Sequence, residues 1–357
     1  MTSVAIAEHL AERRLPLSAA GSSPAESHAF AGFLRTIGRG ATLGRPLDEA
    51  EAERAMAMIL DGAVEPVQLG AFLLVLRYRT ETPAELAGFV RAARARIADG
   101  NAIPVDLDWP SYADRHKQLP YFVLAALLLA ETGVRVLMHG IEGEGTATTP
   151  AALGALGIVA CGSAIEAADR LDRFGFAYLP LRVLCPELDA LFHLRPLLGL
   201  RSPANSLARE LNPFRAAHQI QGVFHPTYLP LHQETAERLA QPHAVIFKGG
   251  GGEAQRNPDK PCRAATLDDG ASGEVVWLAL AEGEPHPWRK EPLEPERLAA
   301  LWRGEWQAPG PIAAIVGTTA IALKLLGRAA DIEDAQSQAE RLWQERPRQQ
   351  FGTPENP

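Results

Sequence analysis

Apolar positions recur at helical spacing from Pro46 to Asp99, which predicts three helices: Leu47 to Leu60, Pro66 to Arg79 and Pro83 to Ala98. Asp61-Gly62 and Glu81-Thr82-Pro83 punctuate them. Thr82 is placed to cap a helix with proline at its first position and Glu85 at its third, and Asp48, Glu49 and Glu51 give another helix an acidic first turn. After Ile103 the period changes. Short apolar runs at Val134–Met138, Phe176–Leu179, Ile220–Phe224 and Ala244–Phe247 alternate with helical stretches: Tyr121–Glu131, Pro150–Leu156, Ala164–Arg173, Pro203–Glu210, Leu229–Ala240, Glu294–Trp302, Pro311–Leu326 and Asp331–Gln344. That alternation predicts an α/β layer with a mostly parallel central sheet. Arg263 to Trp277 reads as an added antiparallel hairpin turning at Asp269-Gly270. The chain therefore divides into a loosely attached leader (1–28), a small α-helical domain (29–101), a large α/β domain (102–345) and a tail (346–357).

Composition narrows the class without naming it. At 357 residues, 46% hydrophobic and 22% charged, the chain has the make-up of a globular protein rather than a disordered or fibrous one. Its longest apolar run, Tyr121 to Ala130, is half what a membrane-spanning helix requires, so no membrane partner and a cytoplasmic location are expected. Three scattered cysteines, Cys161, Cys185 and Cys262, fit neither a disulfide framework nor a zinc knuckle. The net charge of −8 argues against a surface that coats nucleic acid everywhere, so any polyanion site must be local. His193 to Arg263 is such a region: nine Lys and Arg stand against five Asp and Glu, while from Ala264 onward nine basic residues face fifteen acidic ones.

Several strings together resemble a known family. The helical block GRGATLGRPLDEAEAERAMAMILDGAVEPVQLGAFLLVLRYRTETPAELAGFVRAAR, then VRVLMHG from Val134, AALGALGI from Ala151, ANSLARELNP from Ala204 and IQGVFHPTY from Ile220 follow the order of the anthranilate phosphoribosyltransferases, grouped with nucleoside phosphorylases as glycosyltransferase family 3. The resemblance spans about Phe30 to Arg341. It implies a small α domain joined to a large α/β domain, with a homodimer formed through the small domain and a later helical segment near 183–198.

Family members rest the diphosphate of phosphoribosyl pyrophosphate on a loop of the form GTGGDG, followed by an Asn-x-Ser-Thr helix start. Small residues let backbone amides reach the phosphates, and a helix N-terminus adds partial positive charge. The resemblance places Pro110, Ser111, Tyr112, Ala113, Asp114 and Arg115 on that loop, and Pro120, Phe122 and Val123 on the helix start. No loop glycine is retained, and proline has no amide to offer. Family members also hold Mg²⁺ through an adjacent Asp-Glu pair after a strand. Here HAVIF is followed by Lys248, Gly249 to Gly252, Glu253, Ala254, Gln255 and Arg256. Glu253 alone is a weak metal ligand, and no metal or cofactor is expected. These two departures resemble the YbiB-type branch of the family, which is associated with nucleic acid.

The replacing residues are basic. Arg115, His116 and Lys117 stand near the loop; Lys248, Arg256, Lys260 and Arg263 stand near the lost acidic pair. Arg201, Asn205 and Arg209 border the cleft, and Arg39, Arg77 and Arg79 extend the strip from the small domain. Such cations neutralise phosphates and release counterions. Trp109 or Tyr112 would either stack an unpaired base or pack at a domain boundary, with packing the favoured reading. His218, His225 and His232 recur every seven residues but straddle a strand and a turn, so they do not form a metal site. HGIEGEGT has the wrong glycine spacing for a dinucleotide loop, and GGGG reads as either an anion nest or a flexible loop. The expected function is sequence-nonspecific binding of single- or double-stranded nucleic acid, without transferase activity. An active transferase or phosphorylase with altered phosphate handling is the alternative, and a ligand-binding pseudoenzyme the third option.

Overall fold

The computed structural model describes residues 28–40, 42–97, 103–113, 117–280, 284–349 and 351. Among these, α1 (Ala31–Gly38), α2 (Glu49–Leu60), α3 (Pro66–Arg79) and α4 (Pro83–Arg94) form the small helical domain. Its boundaries are set locally. Asp48 and Glu51 close a capping box at the start of α2, and Thr82 and Glu85 another at the start of α4. Gly88 is required by packing rather than by a turn, because a Cβ there would lie 2.3 Å from the Glu49 carbonyl oxygen.

The large domain is a seven-stranded sheet in the order β3-β2-β1-β4-β5-β6-β7. The strands are β1 (Leu107–Ser111), β2 (Val136–Gly140), β3 (Phe176–Pro180), β4 (His218–Val223), β5 (His243–Lys248), β6 (Cys262–Asp268) and β7 (Ala271–Trp277). The first five are parallel, and β6 pairs antiparallel with both β5 and β7. The expected hairpin is present, with Asp269 at φ 47° and Gly270 at φ 76°, both in the left-handed region that a tight two-residue turn needs.

Helix α5 (Phe122–Ala130) is buried along its whole length, which is why its sequence carries no polar stripe. It packs with α14 (Pro309–Leu325), whose middle is likewise buried. The remaining helices are α6 (Thr149–Ala155), α7 (Ala164–Phe174), α8 (Leu181–Leu184), α9 (Pro186–Phe192), α10 (Arg195–Leu198), α11 (Ala204–Arg209), α12 (Leu229–Arg238), α13 (Glu296–Arg303) and α15 (Ile332–Glu345). Leu184, Leu188 and Leu191 share one hydrophobic core with Phe72, Leu86 and Phe89 of the small domain. Arg94 pins the two domains together: its side chain, buried, donates to the carbonyls of Leu211 (2.7 Å) and Glu210 (3.1 Å). Among the described residues no helix is long and apolar enough to cross a membrane.

Strand β1 has no counterpart in the apolar pattern. Asp108 and Pro110 interrupt it, yet both are buried within the strand. The ladder to β4 stops at Asp108, two residues before the proline that has no N–H to give. Gln219 Nε2 donates to one oxygen of the Asp108 carboxylate at 2.8 Å, and the other oxygen lies 3.0 Å from His139 Nε2.

Candidate functional site at the carboxyl edge of the sheet

Strand order reverses between β1 and β4, and an open α/β sheet binds ligands outside the carboxyl ends of the strands at such a switch point. Here the chain fills that crevice itself. Beyond β5, Gly249 to Gln255 folds back across the ends of β1 and β4. A Cβ on Gly249 would lie 1.5 Å from the Glu253 carbonyl oxygen, one on Gly222 2.0 Å from the Glu253 carbonyl carbon, and one on Gly250 1.9 Å from Gln118 Nε2. The glycine run is therefore a close-packed crossing, not a flexible loop.

Two side chains of this crossing take the backbone donors that an anion would use. The Glu253 carboxylate accepts from the Ala113 amide at 2.6 Å. Gln255 Oε1 accepts from the Phe122 amide at 3.0 Å, at the N-terminus of α5. Both side chains are buried. Glu253 is thus committed to the backbone, and its neighbours Ala254 and Gln255 bring no anionic oxygen, so this donor set does not fit a Mg²⁺–diphosphate. Among the described residues no group of three His, Cys, Asp or Glu side chains is arranged to hold a metal ion.

Several expectations need correction. Pro110 and Ser111 lie inside β1 rather than on a loop. The packing reading favoured for Trp109 and Tyr112 holds, since both are fully buried: Trp109 stacks on Phe122 and Tyr112 on Phe192. Desolvation pushes the Tyr112 phenol well above its ordinary pKa, so it stays a donor, to His139 Nδ1 at 2.6 Å. His139 Nε2 in turn lies 3.0 Å from Asp108 Oδ1, which fits the Nε2–H tautomer. From Asp108 the buried polar chain continues through Gln219 and Gln221 to Glu210 and His232.

Arg209 is buried and holds the crossing in place, donating to the carbonyls of Asn205 (2.7 Å), Gly222 (3.0 Å) and Gly252 (3.4 Å). It is a scaffold residue and not a surface contact. Arg256 is 1% exposed, packs its guanidinium 5.3 Å from the Trp277 ring and donates to the Leu278 carbonyl; burial pulls its pKa down to about 10. Arg79 is spent on a bidentate pair with the buried Glu85, and Arg263 is paired with Glu274. Asn205 turns inward to the Tyr112 carbonyl, 3.3 Å away. Asp114, Arg115 and His116 lie outside the described residues.

The remaining cations gather on one rim. Lys248 ends β5 and Lys117 precedes Gln118, which packs against Gly250; both lysines are exposed, and neither makes an ion pair among the described residues. Lys260 is exposed just before β6, whose first residues lie beside the end of β5 because the two strands are antiparallel. Arg77 reaches the same rim from the small domain through a 3.0 Å hydrogen bond to the Tyr228 hydroxyl, in the turn after β4. Arg201 is partly exposed ahead of α11. Arg39 is exposed at the end of α1, and among the described residues no contact ties it to the rim.

Sequence reasoning missed Phe224. It follows β4 directly, is 52% exposed, packs edge-on against His225 at 4.7 Å and touches the Gly252 crossing. The available signal was a large aromatic at the point where a parallel strand ends, followed by His-Pro.

Comparison with known proteins gives this arrangement a lineage. Residues 32–97 match the glycosyl transferase family helical bundle domain. The chain is 31% identical to an anthranilate phosphoribosyltransferase of Novosphingobium aromaticivorans over 73% of its own length and 88% of the relative's. It is 28% identical to the uncharacterized protein YbiB of Escherichia coli over 73% of this chain and 83% of that one. The crystal structure of anthranilate phosphoribosyltransferase from Thermus thermophilus superposes with a TM-score of 0.75 at 24% identity, covering 89% of this chain and 94% of that one. Sequence and fold thus place the chain in the anthranilate phosphoribosyltransferase-like glycosyltransferase family 3.

Proposed function

We propose that this chain is a sequence-nonspecific nucleic-acid-binding protein on a phosphoribosyltransferase scaffold, without transferase activity. The observation that carries the reading is the occupation of the switch-point donors, the Ala113 and Phe122 amides, by the chain's own Glu253 and Gln255. Leaving-group departure from phosphoribosyl pyrophosphate needs preorganised donors and cations on the diphosphate, and those positions are filled. Above them, Lys117, Lys248, Lys260 and Arg77 offer charge to a phosphate backbone, and Phe224 offers an aromatic face to a base.

The partner is expected to meet a dimer. On α3, Val67, Ala71, Leu74 and Tyr78 are exposed and fall on one stripe at spacings of four, three and four, with Tyr78 91% exposed. This stripe is the surface through which two copies would associate, and Leu74→Glu is expected to yield monomers by sedimentation.

Titration of a labelled single-stranded oligonucleotide at several salt concentrations tests the main reading. Binding is expected, with log K against log salt falling by about 0.7 per phosphate engaged. Calorimetry with phosphoribosyl pyrophosphate and Mg²⁺ is expected to give no heat, and micromolar binding would restore the transferase named in the relatives.

A further inference from the structure

The seam between the two domains holds a carboxyl group that the rim does not use. Helix α12 packs along α4 there, and Arg91 reaches across to the Arg238 carbonyl at 2.9 Å. Arg77 crosses the same seam to the Tyr228 hydroxyl. Glu81, in the turn between α3 and α4, is 5% exposed, and its Oε2 has no hydrogen-bond partner among the described residues. The charged groups within electrostatic reach of it are Arg77 on α3, Glu85 on α4 and His232 on α12. Each is committed elsewhere. Glu85 is an acid itself and is closed in its bidentate pair with Arg79. His232, 2% exposed, has its Nδ1 2.5 Å from Oε1 of the buried Glu210, whose other oxygen accepts from Gln221. Arg77 is held by the Tyr228 hydroxyl, and among the described residues no cation makes an ion pair with Glu81.

The turn that delivers Glu81 inward is strained. Thr80, the residue before it, is exposed yet has φ 68° and ψ 143°, in the left-handed half of the map that favours glycine. Tertiary contacts hold it there, since Arg79 on one side and Thr82 on the other are both bonded to the Glu85 carboxylate. The backbone is thus bent, at a cost, into a shape that buries an acid with no donor for one of its oxygens. A carboxyl group so placed is tolerated while uncharged and is costly once ionised. Burial accordingly raises the Glu81 pKa above its ordinary 4.5, so the folded chain keeps a proton that the unfolded chain releases. The stabilisation is complete below the ordinary value and is lost as the pH rises through the folded one. We infer that Glu81 is a proton-operated latch on the domain seam: with its proton, α12 closes on α4, and without it the seam loosens. The latch is independent of what the rim binds.

Amide hydrogen exchange of the full-length chain tests it between about pH 5 and pH 8, with each protection factor corrected for the intrinsic pH dependence of exchange. In the wild type, protection of the amides in α4 and α12 is expected to fall at least about tenfold across that range, while amides of β2 and β3 keep theirs. Glu81→Gln keeps the shape of the side chain and cannot ionise, so its seam protection is expected to stay constant. A wild type whose seam protection does not change with pH would overturn the latch. So would a Glu81→Gln variant that loses protection as the wild type does, because the responding group would then be His232. Glu81→Met, apolar and of similar volume, carries the same expectation if the amide variant does not fold.

Discussion

The two edges of the central sheet make opposite use of the same materials. The amino edge holds an opening of about 550 Å³ between Glu131, Arg135, Asp172, Arg173, Phe174 and Phe351. Its Arg135 is paired with Asp172, and Arg328 is bonded to Thr132. The carboxyl edge has its crevice closed by Gly249 to Gln255, while Lys117, Lys248 and Lys260 stand out in solvent beside an exposed Phe224. The amino edge thus spends its charges on one another, whereas the carboxyl edge leaves its cations in solvent. Paired exposed charges have little left to offer a ligand, whereas unpaired cations beside an aromatic can engage a phosphate and a base together.

Reversing the charge of Arg77, Lys117 and Lys248 together should test the contrast most severely. Oligonucleotide affinity near 0.1 M salt should fall at least about a hundredfold, while reversing Arg173, Lys324 and Arg328 leaves it within a few-fold. Comparable losses at both edges would erase the distinction. Phe224→Ala is expected to weaken single-strand binding by about 1–3 kcal/mol with thermal unfolding unchanged, since the side chain is half in solvent. The filled crevice can be probed through Gln255→Ala, which orphans the Phe122 amide. A loss of about 1–2 kcal/mol in urea unfolding is expected, and an unchanged midpoint would mean that the plug bears no weight. At the amino edge, Asp172→Asn should cost under about 1 kcal/mol and leave nucleic-acid binding untouched.

A pH effect bears on the buried side of both regions. Burial pushes the thiols of Cys161, Cys185 and Cys262 up to about 11 from an ordinary value of 9.0. The folded state therefore keeps protons that the unfolded chain releases. Their contribution is intact below about pH 9 and is lost as the pH rises toward 11. Urea midpoints measured across that window should decline, and replacing Cys262 with alanine should flatten part of the decline.

Much of the architecture could be read from periodicity because it depends on neighbours in the chain. The start of α4 at Pro83 and the turn at Asp269-Gly270 are set by capping and turn chemistry within a few residues. Strand β1 was invisible for the converse reason. Asp108 looks like a surface residue until His139 and Gln219, from β2 and β4, are brought beside it. The family resemblance likewise placed Arg79, Arg209, Arg256 and Arg263 on one basic strip, but a cation's value depends on what faces it. Glu85 and Glu274 take two of them, backbone carbonyls hold Arg209, and burial against Trp277 takes Arg256.

The amino-acid sequence by itself determined that this chain builds a helical domain and a mostly parallel α/β domain. Those properties reside in residue types and in spacings of two to four positions. Only the tertiary structure decided that Glu253 and Gln255 take the Ala113 and Phe122 amides, that Arg77 meets Tyr228 in the turn after β4, and that Asp108 is buried within the sheet. These outcomes depend on which distant segments meet, and hydrogen bonding and desolvation at those meetings set whether each charge is spent or left for a partner.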